Sequence, residues 1–378
     1  MSLSSTQPVD VTPFIAIRLG ETLLWLCSIP SPIGDERELC DAVVERLSKL
    51  PLAADIRRYG DSIVVPVTRR GGGRPHVALV GHLDTVRTEN GPARIEGERC
   101  YGAGASDMKS GLAIMIVLAE TMRLSTMPCD LTLVFYAREE GPFVENELGP
   151  VLDADPELGH VDVAVCLEPS DNKLSLGCNG SLHATVTFEG RTGHSSRPWE
   201  GDNAIYKALP LISDLASLKP DHAVIDGLTY RTVTSVTQAK DGGRGRNVVP
   251  DRFVLNLNHR FSPDISIADA KAHVHELVGA RARVEFTDAS PGALPNARHP
   301  LVQSLVAAGV RSVEPKQAWT DVARFAALGI AAVNFGPGEN AQAHQKNEST
   351  SLPLLSDGFA ILRRWLTAMP SSVVKETP

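Results

Sequence analysis

The sequence has few aromatic residues and no long apolar stretch. Aromatic side chains make up 5% of its 378 residues. The longest aliphatic run, Leu112 to Ala119, is far shorter than the roughly 20 residues that a membrane-spanning helix needs. The first residues, MSLSSTQPVDVTPF, lack a basic segment followed by an apolar one, so we expect no secretory signal and a cytoplasmic protein. The formal net charge of −8 and the lack of Lys- or Arg-rich runs argue against a nucleic-acid or membrane partner.

Several catalytic signatures are also missing. The six cysteines are scattered without a C-x-x-C pair, which predicts reduced, buried thiols and neither a disulfide framework nor thiolate ligands for a metal. No G-x-S-x-G occurs, which excludes the nucleophile elbow of an α/β-hydrolase. No G-x-x-x-x-G-K-[ST] occurs either, which excludes a P-loop.

Four apolar runs are predicted as buried strands, and each is followed by acidic or histidine residues. The runs are His76–Val80, Leu131–Ala137, Val161–Leu167 and Ile330–Phe335. The polar residues at or just past their ends are His82 and Asp84, Glu139 and Glu140, Glu168, and His344. A glycine-rich turn, Gly102 to Ser106, brings Asp107 to the start of a predicted helix, Ser110 to Arg123. Because ligands of open α/β sheets bind outside the carboxyl ends of the strands, these residues predict one site.

The middle of the chain has a different pattern. Its predicted elements follow the order β-α-β-β-α-β: Ser181–Glu189, Asp202–Leu218, Leu228–Ala239, Phe253–Phe261, Ile265–Ala280 and Ala282–Asp288. This order is typical of a split βαβ, ferredoxin-like module. We therefore predict an α/β catalytic domain formed by residues 1–179 and 292–378, interrupted by an inserted domain of residues 180–291.

The candidate residues suit a metal centre. Two histidines and three carboxylates, His82, Asp107, Glu140, Glu168 and His344, fit two divalent ions, with Zn²⁺ the first choice. Asp107 is the best candidate to bridge the ions. Asp84 is expected to accept the second ring N–H of His82. Of the pair Glu139-Glu140, one residue is expected to bind metal and the other to take a proton from water, which is the chemistry of amide hydrolysis.

These motifs resemble a known family. The segments HLDTV, GAGASDMKSG, Arg138–Gly141, Glu168-Pro169 and the late His344 are similar to the M20 family of co-catalytic zinc amidohydrolases and peptidases. The resemblance implies a zinc-peptidase-like mixed α/β sheet flanked by helices, an inserted ferredoxin-like α+β dimerisation lid, a homodimer, and two ions, zinc or cobalt. It implies that His82, Asp107 and Glu168 hold one ion, that Asp107, Glu140 and His344 hold the other, and that Glu139 is the general base.

Further segments are most similar to the branch of this family that removes the succinyl group from N-succinyl-L,L-2,6-diaminopimelate in lysine and cell-wall synthesis. They are Gly177–Ser181, Gly193–Asn203, Asn247–Pro250, Asn258–Ser262, Thr320–Phe325 and Asn334–Gly338. The resemblance implies that the lid residue His194 reaches the partner subunit's active site and polarises the scissile carbonyl. It also implies substrate contacts from Ser181, Asn247, Arg260 and Thr320.

The chain departs from the family pattern at three positions. It has Ala103 and Ser110 where relatives often have Arg and Gly, and it has Cys178 where some desuccinylating members have an Arg. The last difference bears on a substrate carboxylate. The alternatives within the same fold are hydrolysis of N-acetylornithine, of other N-acyl amino acids or of dipeptides. An alternative of a different class is a non-catalytic binding protein. His194 could instead be an exposed structural residue, and Arg260 could be an ordinary ion-pair partner.

Overall fold

The structure, a computed structural model, describes residues 11–69, 71–242 and 245–369. Both ends of the predicted catalytic domain, residues 1–10 and 370–378, lie outside the described residues. The chain divides into two units. Unit 1 contains the residues up to Leu176, Asn296–Glu314 and those from Arg324 onwards, and unit 2 contains Gly177–Pro295 and Pro315–Ala323.

The helices and strands follow the predicted order closely. Up to Leu176 they are α1 (Pro13–Ser28), α2 (Arg37–Leu47), β1 (Arg57–Tyr59), β2 (Ser62–Thr68), β3 (His76–His82), β4 (Arg94–Glu96), β5 (Arg99–Tyr101), α3 (Lys109–Thr121), β6 (Asp130–Tyr136), α4 (Leu148–Ala154), β7 (Val163–Cys166) and β8 (Leu174–Leu176). From Gly177 to Pro295 they are β9 (Gly180–Glu189), β10 (Gly193–His194), α5 (Ala204–Ser217), β11 (Asp221–Ile225), β12 (Leu228–Asp241), β13 (Val248–Val249), β14 (Arg252–Phe261), α6 (Ile267–Val278) and β15 (Arg283–Ser290). The remaining elements are α7 (Pro300–Ala307), β16 (Val313–Pro315), α8 (Val322–Ala327), β17 (Ala331–Asn334), β18 (Ser349–Ser351) and α9 (Leu352–Thr367).

Unit 1 is built on a mixed sheet of strand order β1-β2-β6-β3-β7-β17-β8-β16. Its four central strands, β6, β3, β7 and β17, are mutually parallel. They are the four apolar runs predicted from the sequence. Strands buried on both faces are expected to be almost continuously apolar, and β6 and β7 are buried along their whole length. The predicted fold class, a mixed α/β sheet flanked by helices, is confirmed.

Helix α3 explains how the sheet is covered. Every residue from Lys109 to Ala119 is buried, as expected for a helix that is apolar on all sides. It packs against α1, α9 and β3. Gly81 of β3 allows this approach, because a Cβ at that position would lie 2.5 Å from a methyl group of Leu112. The start of α3 is therefore close to the carboxyl end of β3, and so is Asp107, which precedes the helix.

Unit 2 has an antiparallel sheet of order β11-β12-β14-β9-β15. Without the edge strand β11, its strands and the helices α5 and α6 give the β-α-β-β-α-β order of a ferredoxin-like module. One face of β9 and β14 packs in an apolar cluster with residues of α5 and α6. Polar side chains lie on the opposite face, because side chains alternate along a strand.

Residues 315–323 lie with unit 2, whereas the predicted boundaries placed them in the catalytic domain. Long-range hydrogen bonds explain the difference. The Gln317 side chain accepts from the backbone N–H of Arg231 and donates to the carbonyl of Thr229, and the indole N–H of Trp319 donates to the carbonyl of Pro291. Thr320, a predicted substrate contact, is therefore part of unit 2.

Two simpler expectations concern cysteines and membranes. All six cysteines are buried and free, which confirms the prediction that they are buried. Among the described residues, the helices are too short or too polar for any of them to cross a bilayer.

Candidate active site

The metal-ligand candidates of unit 1 lie where the four parallel strands end. His82 is the last residue of β3, Glu139 and Glu140 follow β6, and Glu168 follows β7. Parallel register places these ends at one edge of the sheet. His344 follows β17, and Asp107 immediately precedes α3. The structure therefore brings the predicted residues of unit 1 together.

His82 is fully buried, and its hydrogen bonds fix the position of its proton. Its Nδ1 lies 2.9 Å from the backbone carbonyl oxygen of Asp84, which can only accept. A neutral His82 therefore carries its proton on Nδ1 and directs the lone pair of Nε2 toward Asp107, whose Oδ1 is 3.2 Å away. Burial alone would lower the pKa of His82, but the Asp107 bond and the nearby carboxylates raise it well above its usual value.

Asp84 has a different role from the one predicted. Its carboxylate lies 3.6 Å from His82 Nδ1, so the short bond to that nitrogen comes from its backbone carbonyl. The carboxylate instead accepts the backbone N–H groups of Glu139, at 3.0 Å, and Glu140, at 2.8 Å. The preceding residue, Arg138, has a φ of 63°, a left-handed conformation that non-glycine residues adopt mostly at constrained functional turns. Asp84 thus holds the turn that carries both glutamates.

His344 completes a second group of ligands. Its Nε2 lies 3.0 Å from Glu140 Oε1 and 3.6 Å from Asp107 Oδ2, and its φ of 62° is again left-handed. The hydrogen bond to Glu140 raises the pKa of His344 to about 9, although burial opposes the rise. Glu140, in contrast to His344, is almost buried.

The donor atoms fit divalent metal ions. Three sets of ligand atoms each lie within 4.8 Å of one another: His82, Asp107 and Glu168; Asp107, Glu140 and His344; and His82, Glu139 and Glu140. The first two sets share Asp107, as expected for a bridging ligand. Imidazole nitrogens and carboxylate oxygens are ordinary ligands of zinc and similar ions. Four carboxylates so close together repel one another unless a cation lies between them. The chain therefore has residue groups suited to metal ions.

Glu348, which the sequence reasoning missed, holds the glycine-rich turn. This buried carboxylate accepts three backbone N–H groups, from Gly104 at 3.0 Å, Ser106 at 2.8 Å and Asp107 at 2.8 Å. Its burial raises its pKa to about 7, although the three N–H groups favour the charged form. A turn with several inward-facing N–H groups needs an acceptor, so the turn was a signal for such a residue; the sequence did not indicate which one.

Lys109 is a second residue that the sequence reasoning missed. Its side chain is buried, and its ammonium group donates to the carbonyl oxygens of Leu26 and Ile29 at the end of α1. Burial lowers its pKa. The carbonyls at a helix end lack partners within the helix. Lys109, two positions after Asp107, therefore ties the end of α1 to the start of α3.

The remaining predicted site residues belong to unit 2. The exposed His194 lies on β10, and its Nδ1 accepts from the backbone N–H of Ser196 at 3.1 Å. Ser181 and Arg260 are cross-strand partners on β9 and β14. The Thr320 hydroxyl is buried and has no hydrogen-bond partner among the described residues. Asn247 is exposed, and its backbone carbonyl accepts from the backbone N–H of Ser195.

Comparison with known proteins identifies the family. The model of peptidase family M20/M25/M40 matches residues 78–368. The chain belongs to this family. It is therefore a hydrolase of the class that acts on amide bonds.

This M20 member is similar to proteins of two actinobacteria. It is 38% identical over 352 residues to the succinyl-diaminopimelate desuccinylase of Corynebacterium glutamicum, a match that covers 90% of this chain and 94% of the relative. It is 39% identical over 343 residues to a Mycobacterium tuberculosis protein provisionally given the same name, covering 90% and 96%.

Solved structures agree on the fold. A tripeptidase from Staphylococcus aureus superposes with a TM-score of 0.76 at 21% identity, covering 93% of this chain and 98% of that one. A Bacillus subtilis protein described as a dinuclear metal binding peptidase of the M20 family superposes with a TM-score of 0.64 at 16% identity, covering 94% and 99%. At such identities the likeness concerns the fold alone.

Proposed function

We propose that this M20 hydrolase converts N-succinyl-L,L-2,6-diaminopimelate to succinate and L,L-diaminopimelate in the cytoplasm, as a step of lysine and cell-wall precursor synthesis. The observation that carries the chemistry is the pair of ligand groups that share Asp107, with Glu139 beside them. The substrate is supported by two relatives of that name at 38% and 39% identity over 90% of the chain.

The proposed metal ions are two Zn²⁺, with Co²⁺ as a substitute. His82, Asp107 and Glu168 would hold one ion, and Asp107, Glu140 and His344 the other. Such ions polarise a carbonyl and make water more acidic. Glu139 would take the proton of the attacking water and then return it to the departing amine. Asp84 supports this role, because its carboxylate fixes the backbone of Glu139.

The proposed assembly is a homodimer in which His194 of one protomer stabilises the oxyanion at the site of the other. The hydrogen bonds of His194 support this role. A backbone N–H donates to its Nδ1, so a neutral His194 carries its proton on Nε2. That N–H is suited to donate to a developing oxyanion.

Substrate recognition is proposed for Ser181, Asn247, Arg260 and Thr320. The succinyl group ends in a carboxylate, which a guanidinium binds through two parallel hydrogen bonds. The buried Thr320 hydroxyl, without a partner among the described residues, is a natural contact for a polar group of the substrate.

Hydrolysis rates on two substrates test the proposal. The metal-loaded protein would be assayed on N-succinyl-L,L-diaminopimelate and N-acetyl-L-ornithine, with Glu139→Ala as the inactive control. We expect a strong preference for the succinyl substrate and its loss in the variant. Preference for the acetyl substrate would agree with the proposed amide hydrolysis but would refute the proposed succinyl substrate. If the wild type hydrolysed neither substrate, the proposed function would be wrong. A panel of acyl amino acids and dipeptides would then be assayed to find the substrate.

A further inference from the structure

The sheet of unit 2 has a polar row on the face opposite its helices. Leu255 and Leu257 of β14 belong to the apolar cluster on the helix side, so Asn258 and Arg260 share the other face. His183 of β9 is the direct cross-strand partner of Asn258. Three polar side chains from two adjacent strands are thus neighbours on one face.

Their hydrogen bonds form a chain with one direction. Arg260 Nε–H donates to Asn258 Oδ1 at 2.9 Å. Because a guanidinium nitrogen only donates, the amide oxygen of Asn258 must face it, and the amide nitrogen then points to His183. That nitrogen donates to His183 Nε2 at 2.8 Å. Asn256 Nδ2 lies 3.3 Å from His183 Nδ1, so both ring nitrogens of His183 face amide N–H donors. The guanidinium therefore fixes which way the Asn258 amide faces, and His183 accepts from that amide.

This arrangement uses only Nε of Arg260 and leaves the two terminal nitrogens of the guanidinium, Nη1 and Nη2, able to bind a ligand. Among the described residues, its Nη1 and Nη2 have no hydrogen-bond partner, and no carboxylate lies within ion-pair distance of it. The side chain is half-buried. Burial lowers the pKa of Arg260, although the charge of Asp288 opposes this. A cation that has lost part of its hydration and presents two free N–H-bearing nitrogens is prepared for a carboxylate.

We infer that His183 and Asn258 are positioning residues that orient the Arg260 guanidinium toward the terminal carboxylate of the succinyl group, so that they determine acyl specificity without touching the substrate. This inference rests on the proposed function. An arginine held at Nε loses less conformational freedom when it binds a planar anion. An unheld arginine must be ordered by the substrate itself, which is expected to weaken binding about tenfold.

Kinetics on a matched pair of substrates test the inference. N-Succinyl- and N-acetyl-L,L-diaminopimelate differ in the carboxymethyl group that Arg260 would read. We expect Asn258→Ala to raise KM for the succinyl substrate about tenfold, with kcat within about twofold and the acetyl substrate unaffected. His183→Ala should act in the same direction, and His183→Gln, which restores an acceptor, should recover most of the loss. Thr234→Val is the control, because it removes a 2.8 Å hydrogen bond to His259 in the same sheet.

A double-mutant cycle separates positioning from a structural role. If Asn258 acts through Arg260, Asn258→Ala should have no further effect on KM once Arg260→Ala is present. Additive effects, or equal effects on both substrates, would overturn the inference.

A readout without turnover separates this inference from the proposed function. In protein labelled with ¹⁵N-arginine, the Nε–H signal lost in Arg260→Lys belongs to Arg260. Its exchange with water should become at least about tenfold faster in Asn258→Ala than in Thr234→Val, because a hydrogen-bonded N–H exchanges slowly. Unchanged exchange would overturn the positioning role. Failure of the wild type to hydrolyse the succinyl substrate would overturn the proposed function, while the exchange rates would still decide whether Asn258 holds Arg260.

Discussion

Replacing Glu348 by alanine is expected to weaken metal binding without removing a candidate ligand. The change leaves three N–H groups of the turn before α3 without their acceptor. A buried N–H without a partner costs about 1–3 kcal/mol. Because water entering the space left by the side chain replaces part of the bonding, we expect the free energy of unfolding to fall by about 2–4 kcal/mol.

The larger effect concerns Asp107, which belongs to two ligand groups. Partners that hold a metal ligand in place typically contribute 10–100-fold in metal affinity. We therefore expect Zn²⁺ affinity, measured by competition with a coloured chelator, to fall by about that factor in Glu348→Ala. The Zn²⁺ affinity of Glu348→Gln should lie between those of the wild type and Glu348→Ala. Its amide oxygen can still accept from Ser106 and Asp107, but its NH₂ group faces the N–H of Gly104.

The matched control is Glu89→Gln. Glu89 is exposed and pairs with Lys346, so this change removes a carboxylate charge from the surface and leaves the turn intact. Zn²⁺ affinity of Glu348→Ala equal to that of the control would refute the role given to Glu348. A loss of stability without a loss of affinity would show that Glu348 supports the fold but does not position Asp107.

Three further predictions concern Glu139, Asp84 and His344. Glu139→Gln should lower kcat by about 10²–10⁴ with unchanged metal content; loss of an ion would make Glu139 a ligand instead, as the third ligand group allows. Asp84→Asn keeps one acceptor oxygen for two backbone N–H groups, so kcat/KM should fall about 10–100-fold, and rates within twofold of the wild type would contradict this. The hydrogen bond to Glu140 raises the pKa of His344 to about 9. In protein stripped of metal this pair stabilises the fold fully below the unfolded pKa of about 6.5, and the contribution is lost as pH rises through about 9. Thermal melts should therefore show metal-free protein weakening over this range while metal affinity rises; a metal-free melting temperature independent of pH would argue against the Glu140–His344 pair.

The sequence was informative where function depends on strand ends. His82, Glu140 and Glu168 could be predicted as neighbours because apolar runs reveal buried strands, and parallel strands share one carboxyl edge. No such rule identifies Glu348. It acts through backbone N–H groups more than 240 residues earlier in the chain, and a lone acidic residue in a loop has many possible partners.

The predicted module of unit 2 lacked its edge strand for a different reason. Strand β11 pairs with β12 through a two-residue turn, Asp226-Gly227, and both residues have positive φ. Asp-Gly between two apolar segments is a strong hairpin signal, so the strand could have been predicted. Exposure of most of β11 weakens the apolar alternation that was used instead.

The hydrogen-bond partner of His82 could not be predicted for a third reason. The choice between the carboxylate and the backbone carbonyl of Asp84 depends on a local backbone geometry that sequence spacing does not define.

The position of β17 has a consequence for synthesis of the chain on the ribosome. This strand lies between β7 and β8 in the sheet, yet its last residue, Asn334, follows the last residue of β8, Leu176, by 158 residues (334 minus 176). At about 5–20 residues per second, the nascent chain would wait on the order of ten to thirty seconds for the strand that joins them. Throughout that interval β7 would expose an unpaired edge, the kind of surface that promotes aggregation, and no ligand group containing His344 could form. We therefore expect the ligand group that contains His344 to form late in the biogenesis of this enzyme, and the nascent chain with its unpaired strand edge is a natural target for chaperones.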